Sequence, residues 1–252
     1  MNGYSWSLIA VVAVSVVLIA LSLRRYNRRS GESWWLLLMV AGVGAAAMWV
    51  ASWAQVAVVD LWARRGVELT PLRLAVLPAV VEESAKFMIV LALVAGARRR
   101  FDDPVDGVIY GSAAGLGAAG IEIVWNVGHG GGLPRLHEFV GFAGHAVMGG
   151  LTALGLGMWN APGRRWLLLL FFLPGGILLG MALHAGWDWV SHRMHDHHQA
   201  GEPVPAHLRA WAIVVISLGT AGYLSAVGLT NALSRRAGRR TPDEPPARTV
   251  SA

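Results

Sequence analysis

Residues 72–95 read LRLAVLPAVVEESAKFMIVLALVA, an apolar run with two glutamates and a lysine in its middle. About 20 apolar residues are enough for one helix to cross the hydrocarbon core of a bilayer. Each charge near the centre of such a helix costs roughly 2.5 to 3.5 kcal/mol on the insertion scale. The stretch therefore predicts a membrane helix whose carboxylates face other helices or water rather than lipid.

The composition of the whole chain agrees with a membrane protein. Of the 252 residues, 55% are hydrophobic and only 14% are charged, whereas soluble domains carry about 25% charged residues. The sequence contains no cysteine, which excludes disulfides, thiolate metal sites and a cysteine nucleophile. These values exclude a soluble globular protein, so any active site is expected inside the membrane or at its surface.

Long apolar runs closed by charged clusters predict an all-α bundle of about seven transmembrane helices. The predicted helices cover residues 4–23, 34–62, 72–95, 105–125, 138–159, 166–190 and 210–233. They form one transmembrane domain over residues 1–233, with the core motifs in residues 70–192. Residues 234–252, with clustered arginines and three prolines, are predicted to be a disordered cytoplasmic tail.

The distribution of arginines favours an orientation with the N-terminus outside and the C-terminus in the cytoplasm, because short cytoplasmic loops collect basic residues. In that orientation the cytoplasmic side receives more than twice as many arginines as the outer side. The formal net charge of +6 is therefore interpreted as an orientation signal and not as a nucleic-acid footprint.

The charged group in the third predicted helix lies near the bilayer midplane. Lys86 follows Glu82 by four residues and Glu83 by three, so its ammonium can neutralise one of the two carboxylates on the same side of the helix. The other glutamate is left over. A leftover buried carboxylate takes part in proton transfer or binds a cation. A purely structural ion pair that locks helix packing is the alternative.

Later helices carry polar side chains in line with glycines spaced about one turn apart. These stripes are Gly107, Gly111, Gly115, Glu122 and Asn126 in the fourth helix, Gly141, His145, Gly149 and then Thr152 in the fifth, and Gly176, Gly180, His184 and Asp188 in the sixth. Small residues allow helices to approach closely. Asp188, one turn after His184, is expected to orient that imidazole. In the predicted orientation, Glu82, Glu122, His145 and His184 all lie towards the outer side, as one shared cavity requires.

Two other polar segments favour structural roles. Asp103 fits the N-cap of the fourth helix, with Pro104 at its first position and Asp106 at its third. A histidine-rich segment follows the sixth helix and is predicted to be a solvated outer loop, residues 192–207, with His192, His195, His197, His198 and His207. Such a cluster can also bind metal adventitiously, and its role stays open.

Several motifs together resemble one family. They are Glu82-Glu83-Ser84-Ala85-Lys86, then DPVDGVIYG at residues 103–111, Gly115-Leu116-Gly117, Glu122, His145 and His184. In this order they are similar to the PrsW family of bacterial membrane proteases, a branch of the larger group that contains the CAAX prenyl endopeptidases and the Abi proteins. The resemblance covers roughly residues 70–192.

The resemblance implies a multi-pass endopeptidase of a bacterial plasma membrane that cuts membrane-anchored proteins. In the family's best known role, the enzyme makes the first cut in an anti-sigma factor at the outer side of the membrane. The implied catalytic residues are Glu82, Glu83, His145 and His184. Asp188 matches a position where Asn or Asp is usual.

The sequence departs from the family pattern at two positions, where Ala118 replaces an aromatic residue and Ile123 replaces an asparagine. Asn126, one turn later, stands nearest to the missing amide. Lys86, Glu122, Asp188 and Asn126 are therefore expected to be supporting residues, and the role of Glu122 rests on fewer matches than that of Glu82.

Peptide hydrolysis without a serine or cysteine nucleophile needs an activated water and a group that stabilises the oxyanion. One mechanism uses Glu82 or Glu83 as the base, with the two histidines positioning water and oxyanion and no metal. The other uses a zinc ion held by Glu82, His145 and His184. Spacing across three helices does not separate the two mechanisms.

The expected partners are a membrane-anchored protein substrate and the lipid bilayer, with no nucleic acid. A proton- or metal-coupled transporter is the alternative function, because intramembrane glutamate, lysine and histidine also build ion relays. The sequence shows no internal repeat of the kind that marks many transporters, which argues against this alternative.

Overall fold

A computed structural model describes residues 34–96, 101, 103–130, 136–160 and 165–238 of the chain. The described residues are all-α. Their helices are α1 (Trp34–Arg64), α2 (Pro71–Gly96), α3 (Asp106–Gly130), α4 (Leu136–Thr152), α5 (Leu154–Gly157), α6 (Arg165–Gln199) and α7 (Ala206–Gly238). A short 3-10 turn, Met158–Asn160, follows α5. The predicted helix over residues 4–23 lies outside the described residues.

Four segments of these helices are long and apolar enough to cross a membrane, by length and composition. They are Trp34–Arg64, Asp106–Trp125, Leu170–Gln199 and Ala206–Arg235. Large apolar side chains such as Trp35, Val50 and Phe171 point outwards on these segments and are highly exposed. Such surfaces are unfavourable in water and fit a lipid environment. The all-α membrane class is confirmed, whereas seven spans and the N-out orientation stay predictions.

The predicted continuous helix over residues 138–159 is interrupted. Helix α4 has 17 residues and ends at Thr152, and the chain turns at Ala153 before the four residues of α5. The physical reason is close backbone packing. Gly157 lies so near the carbonyl of Pro104 that a side chain at this position would clash with it. The segment 153–160 packs against α6 as well as against α3.

The histidine-rich segment is not a loop. Helix α6 runs on to Gln199, so that His192, His195, His197 and His198 are helical, and His207 lies in the first turn of α7. Polar contacts one turn apart support this extension, because Gln199 Nε2 lies 2.8 Å from His195 Nε2. The chain reverses at Gly201, which has a φ of 71°. The real connection between α6 and α7 is therefore much shorter than the predicted loop.

The predicted tail also begins later than residue 234, because α7 continues to Gly238. Ser234 Oγ donates hydrogen bonds to the carbonyl of Thr230 at 2.8 Å and to Asp103 Oδ1 at 2.6 Å. The hydrogen bonds expected between Asp103 and Asp106 are present, but the α-helix begins at Asp106 and not at Pro104. Asp103 Oδ1 accepts from the Val105 amide at 3.0 Å and Asp106 Oδ2 from the Asp103 amide at 2.7 Å. Residues 239–252 lie outside the described residues.

Helix α3 is central and packs most extensively against α1 and α4, while α2 packs mainly against α6. Two glycines explain how closely these helices approach. A Cβ added at Gly115 would clash with the carbonyl of His145, and one added at Gly180 would clash with Thr152 Oγ1. The glycine stripes therefore place α3 against α4 and α6 against the end of α4. Both contacts lie beside polar side chains of interest.

Candidate active site

Helix α2 directs its two adjacent glutamates into different surroundings. The Glu83 side chain is 0% exposed, and the Lys86 ammonium lies 2.6 Å from Glu83 Oε1. His184 Nδ1 donates to the same oxygen at 2.8 Å. Thr152 Oγ1 donates to Glu83 Oε2 at 2.9 Å. Both carboxylate oxygens of Glu83 are thus occupied by donors, and Lys86 pairs with the glutamate three residues before it.

Glu82 is the leftover carboxylate that the sequence predicts. Its Oε1 accepts a hydrogen bond from Gln55 Nε2 at 3.1 Å. Its Oε2 is buried, and no donor among the described residues forms a hydrogen bond to it. This oxygen lies 3.6 Å from His184 Nε2 and 3.9 Å from His145 Nδ1. An unsatisfied buried anionic oxygen that faces two imidazoles is expensive unless something further binds there.

The two histidines are held from behind by other carboxylates. His145 Nε2 donates to Glu122 Oε2 at 2.6 Å, and His184 Nδ1 donates to Glu83 Oε1. The two rings meet edge to face with their centroids 5.2 Å apart. Each imidazole therefore has one nitrogen bound to a carboxylate and the other turned towards Glu82. This is the arrangement that metal-ligating histidines adopt, because the rear carboxylate fixes the tautomer and the ring orientation.

Lys86 fixes the tautomer of His145 independently. Its Nζ lies 2.9 Å from His145 Nδ1. An ammonium group only donates hydrogen bonds, so Nδ1 is the acceptor and Nε2 carries the ring proton. Nδ1 has a single lone pair, so a metal ion would bind His145 there only in place of the Lys86 ammonium, which keeps Glu83 as its partner.

The donor set fits a divalent metal. One ligand atom each from Glu82, His145 and His184 lies within 4.8 Å of the others, and all three side chains are buried. Two imidazoles and one carboxylate are a common ligand set of catalytic zinc, which keeps a further position open for water. The orphaned Glu82 oxygen and the carboxylate behind each histidine agree with this fit.

Two predicted supporting residues border the cluster. Asp188 Oδ2 lies 3.5 Å from His184 Nε2, which is too long for a good hydrogen bond. The short hydrogen bond that holds this ring comes from Glu83 at the other nitrogen, and the orienting role of Asp188 stays a prediction. The Asp188 and Glu122 side chains are 22% and 42% exposed, unlike the buried residues between them. The side chain of Asn126 lies outside the described part of the structure.

Sequence reasoning missed one contributor and left another without a role. Gln55, in the middle of α1, holds Glu82, and Thr152, at the end of α4, holds Glu83. An amide within an apolar membrane helix is itself unusual. That signal was available for Gln55, but its partner depends on how α1 packs against α2.

A protein-family model described as PrsW family intramembrane metalloprotease matches residues 32–220. The matched segment is most of the chain and contains every residue of the cluster described above. Neither the search of curated proteins nor the search of solved structures gave a match.

Proposed function

The chain belongs to the PrsW family of intramembrane metalloproteases, and we propose that it is an endopeptidase that hydrolyses peptide bonds of membrane-anchored proteins beside the Glu82, His145 and His184 cluster. The observation that carries the proposal is the buried Glu82 Oε2, which faces one nitrogen of each histidine. A membrane protease implies a membrane-anchored substrate and a lipid environment. Its placement in the CAAX and Abi group stays a prediction.

Glu82 Oε2, His145 Nδ1 and His184 Nε2 are the atoms that would hold the metal. When bound, a divalent ion such as zinc supplies a Lewis acid that activates water and polarises the scissile carbonyl. The family description favours this mechanism over the metal-free one. Glu83 is a positioning residue here, since both of its oxygens are engaged by Lys86, His184 and Thr152.

Proton transfer falls to a carboxylate that borders the cluster. Asp188 Oδ2, at 3.5 Å from His184 Nε2, is close enough to share a water with the site and is not fixed by a short bond to the ring. We assign to it the removal of the proton from the attacking water and its delivery to the leaving amide nitrogen. Glu122 is less suited, because it already accepts a 2.6 Å bond from His145.

The family resemblance supports an anti-sigma factor of a bacterial plasma membrane as the substrate, cut near the outer leaflet. The transporter alternative is not favoured, because the matched family is one of proteases. The choice between a metal and a metal-free mechanism is open to a direct test.

The test measures cleavage of a membrane-anchored reporter by purified protein, with product termini identified by mass spectrometry. Removing a proton-transfer or metal-ligand group is expected to lower the rate of cleavage by about 10²- to 10⁴-fold. Glu82→Gln and His184→Ala should therefore cleave the reporter at only a residual rate. The matched controls are Glu68→Gln and His198→Ala, which change exposed residues away from the cluster. A chelator should abolish cleavage by the wild type, and added zinc should restore it.

Cleavage at the parental rate by folded Glu82→Gln and His184→Ala variants would overturn the proposal. Cleavage that survives the chelator but not these substitutions would leave the protease in place and replace the metal by a glutamate and histidine mechanism.

A further inference from the structure

An open cavity lies between α4, α6 and α7. His145 and His184 form part of its lining. Most of the remaining side chains that line it are apolar, namely Val147, Met148, Leu183, Trp187, Val215 and Ile216. The cavity therefore joins an apolar chamber directly to the two imidazoles of the candidate active site.

Three glycines, Gly141 and Gly144 on α4 and Gly219 on α7, keep this space open. A Cβ added at Gly141 would meet nothing within 4 Å, and one added at Gly144 would meet only the Met148 side chain at 3.7 Å. A Cβ at Gly219 would lie 3.5 Å from Val147 and 3.8 Å from Leu183, which is ordinary van der Waals contact. Close helix packing does not require glycine at these positions, in contrast to Gly115 and Gly180.

The chemistry of the cavity restricts its occupant. An occupant that fills the cavity places an apolar group against the walls and lies next to the polar groups of the catalytic cluster. A residue within a peptide has this combination, because its side chain is apolar while the adjacent carbonyl and amide are polar. A hydrocarbon tail would bring no polar group to that end.

We propose that this cavity is the specificity subsite of the protease and takes a large apolar side chain of the substrate next to the scissile bond. The proposal rests on the proposed function, since it names what that active site selects. It makes Gly219 a specificity-determining residue, because any longer side chain at this position occupies the space of the substrate residue.

The first experiment compares two single-span reporter peptides that differ at one juxtamembrane residue, leucine in one and alanine in the other. The wild type should cleave beside the leucine. Gly219→Leu should lower the ratio of kcat/KM for the leucine reporter to kcat/KM for the alanine reporter by about tenfold or more. Gly228→Leu is the matched control on the same helix, because Gly228 is exposed and an added Cβ there meets nothing within 4 Å. Equal rates on both reporters, or an equal loss on both, would overturn the subsite.

The second experiment does not depend on cleavage. Because the chain has no cysteine, Gly219→Cys or Gly228→Cys adds a unique thiol to the Glu82→Gln variant. A reporter with cysteine in place of its leucine is then oxidised with diamide in proteoliposomes. We expect a disulfide at position 219 and none at 228.

The outcomes separate the two proposals. A disulfide at position 219 without cleavage by the wild type retains the cavity as a peptide site and overturns the protease. Cleavage by the wild type without a disulfide at position 219 retains the protease and overturns the subsite.

Discussion

At the scale of single residues, adjacent positions on one helix have different chemical roles. Successive residues of an α-helix point about 100° apart, so Glu82 and Glu83 face different neighbours. Glu83 receives Lys86, His184 and Thr152, whereas the second oxygen of Glu82 receives no donor from the described residues. One carboxylate therefore has both of its oxygens hydrogen-bonded, whereas the other has one oxygen without a donor among the described residues.

Glu83→Gln and Glu82→Gln should differ in stability as well as in activity. Glu83→Gln leaves the buried Lys86 without its counterion, and breaking a buried pair in this way costs about 3 to 5 kcal/mol. Glu82→Gln removes an unsatisfied buried charge and should leave the metal-free protein equally or more stable. Thermal unfolding in detergent with chelator present measures both effects. The double variant Glu83→Gln with Lys86→Met should recover much of the loss, and equal destabilisation by the two single variants would contradict the assignment.

Gln55 should control metal affinity through Glu82. Gln55→Leu removes the hydrogen bond to Glu82 Oε1 and leaves the carboxylate free to rotate, so the affinity for zinc should fall about 10- to 100-fold. Competition with a fluorescent chelator measures this affinity directly. Gln199→Leu is the control, because Gln199 lies at the exposed end of α6. An unchanged affinity in Gln55→Leu would show that Glu82 is held by other contacts.

At the scale of helices, glycines set the distances on which the cluster depends. Gly180 of α6 leaves room for Thr152 Oγ1 at the end of α4, and that hydroxyl donates to Glu83. The hydrogen bond therefore exists because one helix lacks a side chain at the point of contact.

Gly180→Ala should force the two helices apart or displace Thr152, at a cost of about 1 to 3 kcal/mol from overpacking. Gly175→Ala is a matched control on the same helix, since its added Cβ meets nothing within 4 Å. Replacing glycine by alanine in an open helical position is expected to stabilise by about 0.5 to 1 kcal/mol. The Tm and the rate of reporter cleavage should therefore both fall for Gly180→Ala. Neither should fall for Gly175→Ala. The same response from both variants would argue against the close contact.

At the scale of the whole molecule, the cluster joins three helices that are distant in sequence. Glu82 lies on α2, His145 on α4 and His184 on α6, so a shared metal would cross-link the bundle. A ligand that binds only the folded state stabilises it by about 2.7 kcal/mol at 100 times its Kd.

Zinc should therefore raise the Tm of the wild type, and chelator should reverse the shift. His184→Ala and Glu82→Gln should show no such shift. His198→Ala should retain it, because His198 belongs to the exposed histidine-rich end of α6. A shift that survives in Glu82→Gln but disappears in His198→Ala would place zinc at that surface instead of at the buried cluster.

Local signals explain why much of the fold could be predicted. The length of the apolar runs predicts the membrane class, because a segment crosses the bilayer only if it exposes few polar groups to lipid. The hydrogen bonds of Asp103 and Asp106 depend on residues two and three positions away and were predicted correctly, although the helix begins two residues later than predicted. The errors, at Ala153, in the histidine-rich segment and at residue 234, all concern where a helix ends, which packing against distant residues decides.

By itself, the sequence determined that a buried glutamate pair with one lysine must meet polar partners inside an apolar bundle, and the family motifs pointed to His145 and His184 among them. Only the tertiary structure decided that Lys86 pairs with Glu83, that Gln55 and Thr152 hold the two carboxylates, and that Glu82 faces both imidazoles. The physical reason is that both glutamates lie within reach of Lys86 along one helix. The choice between them is made by the neighbours that α1, α4 and α6 bring to each side of α2.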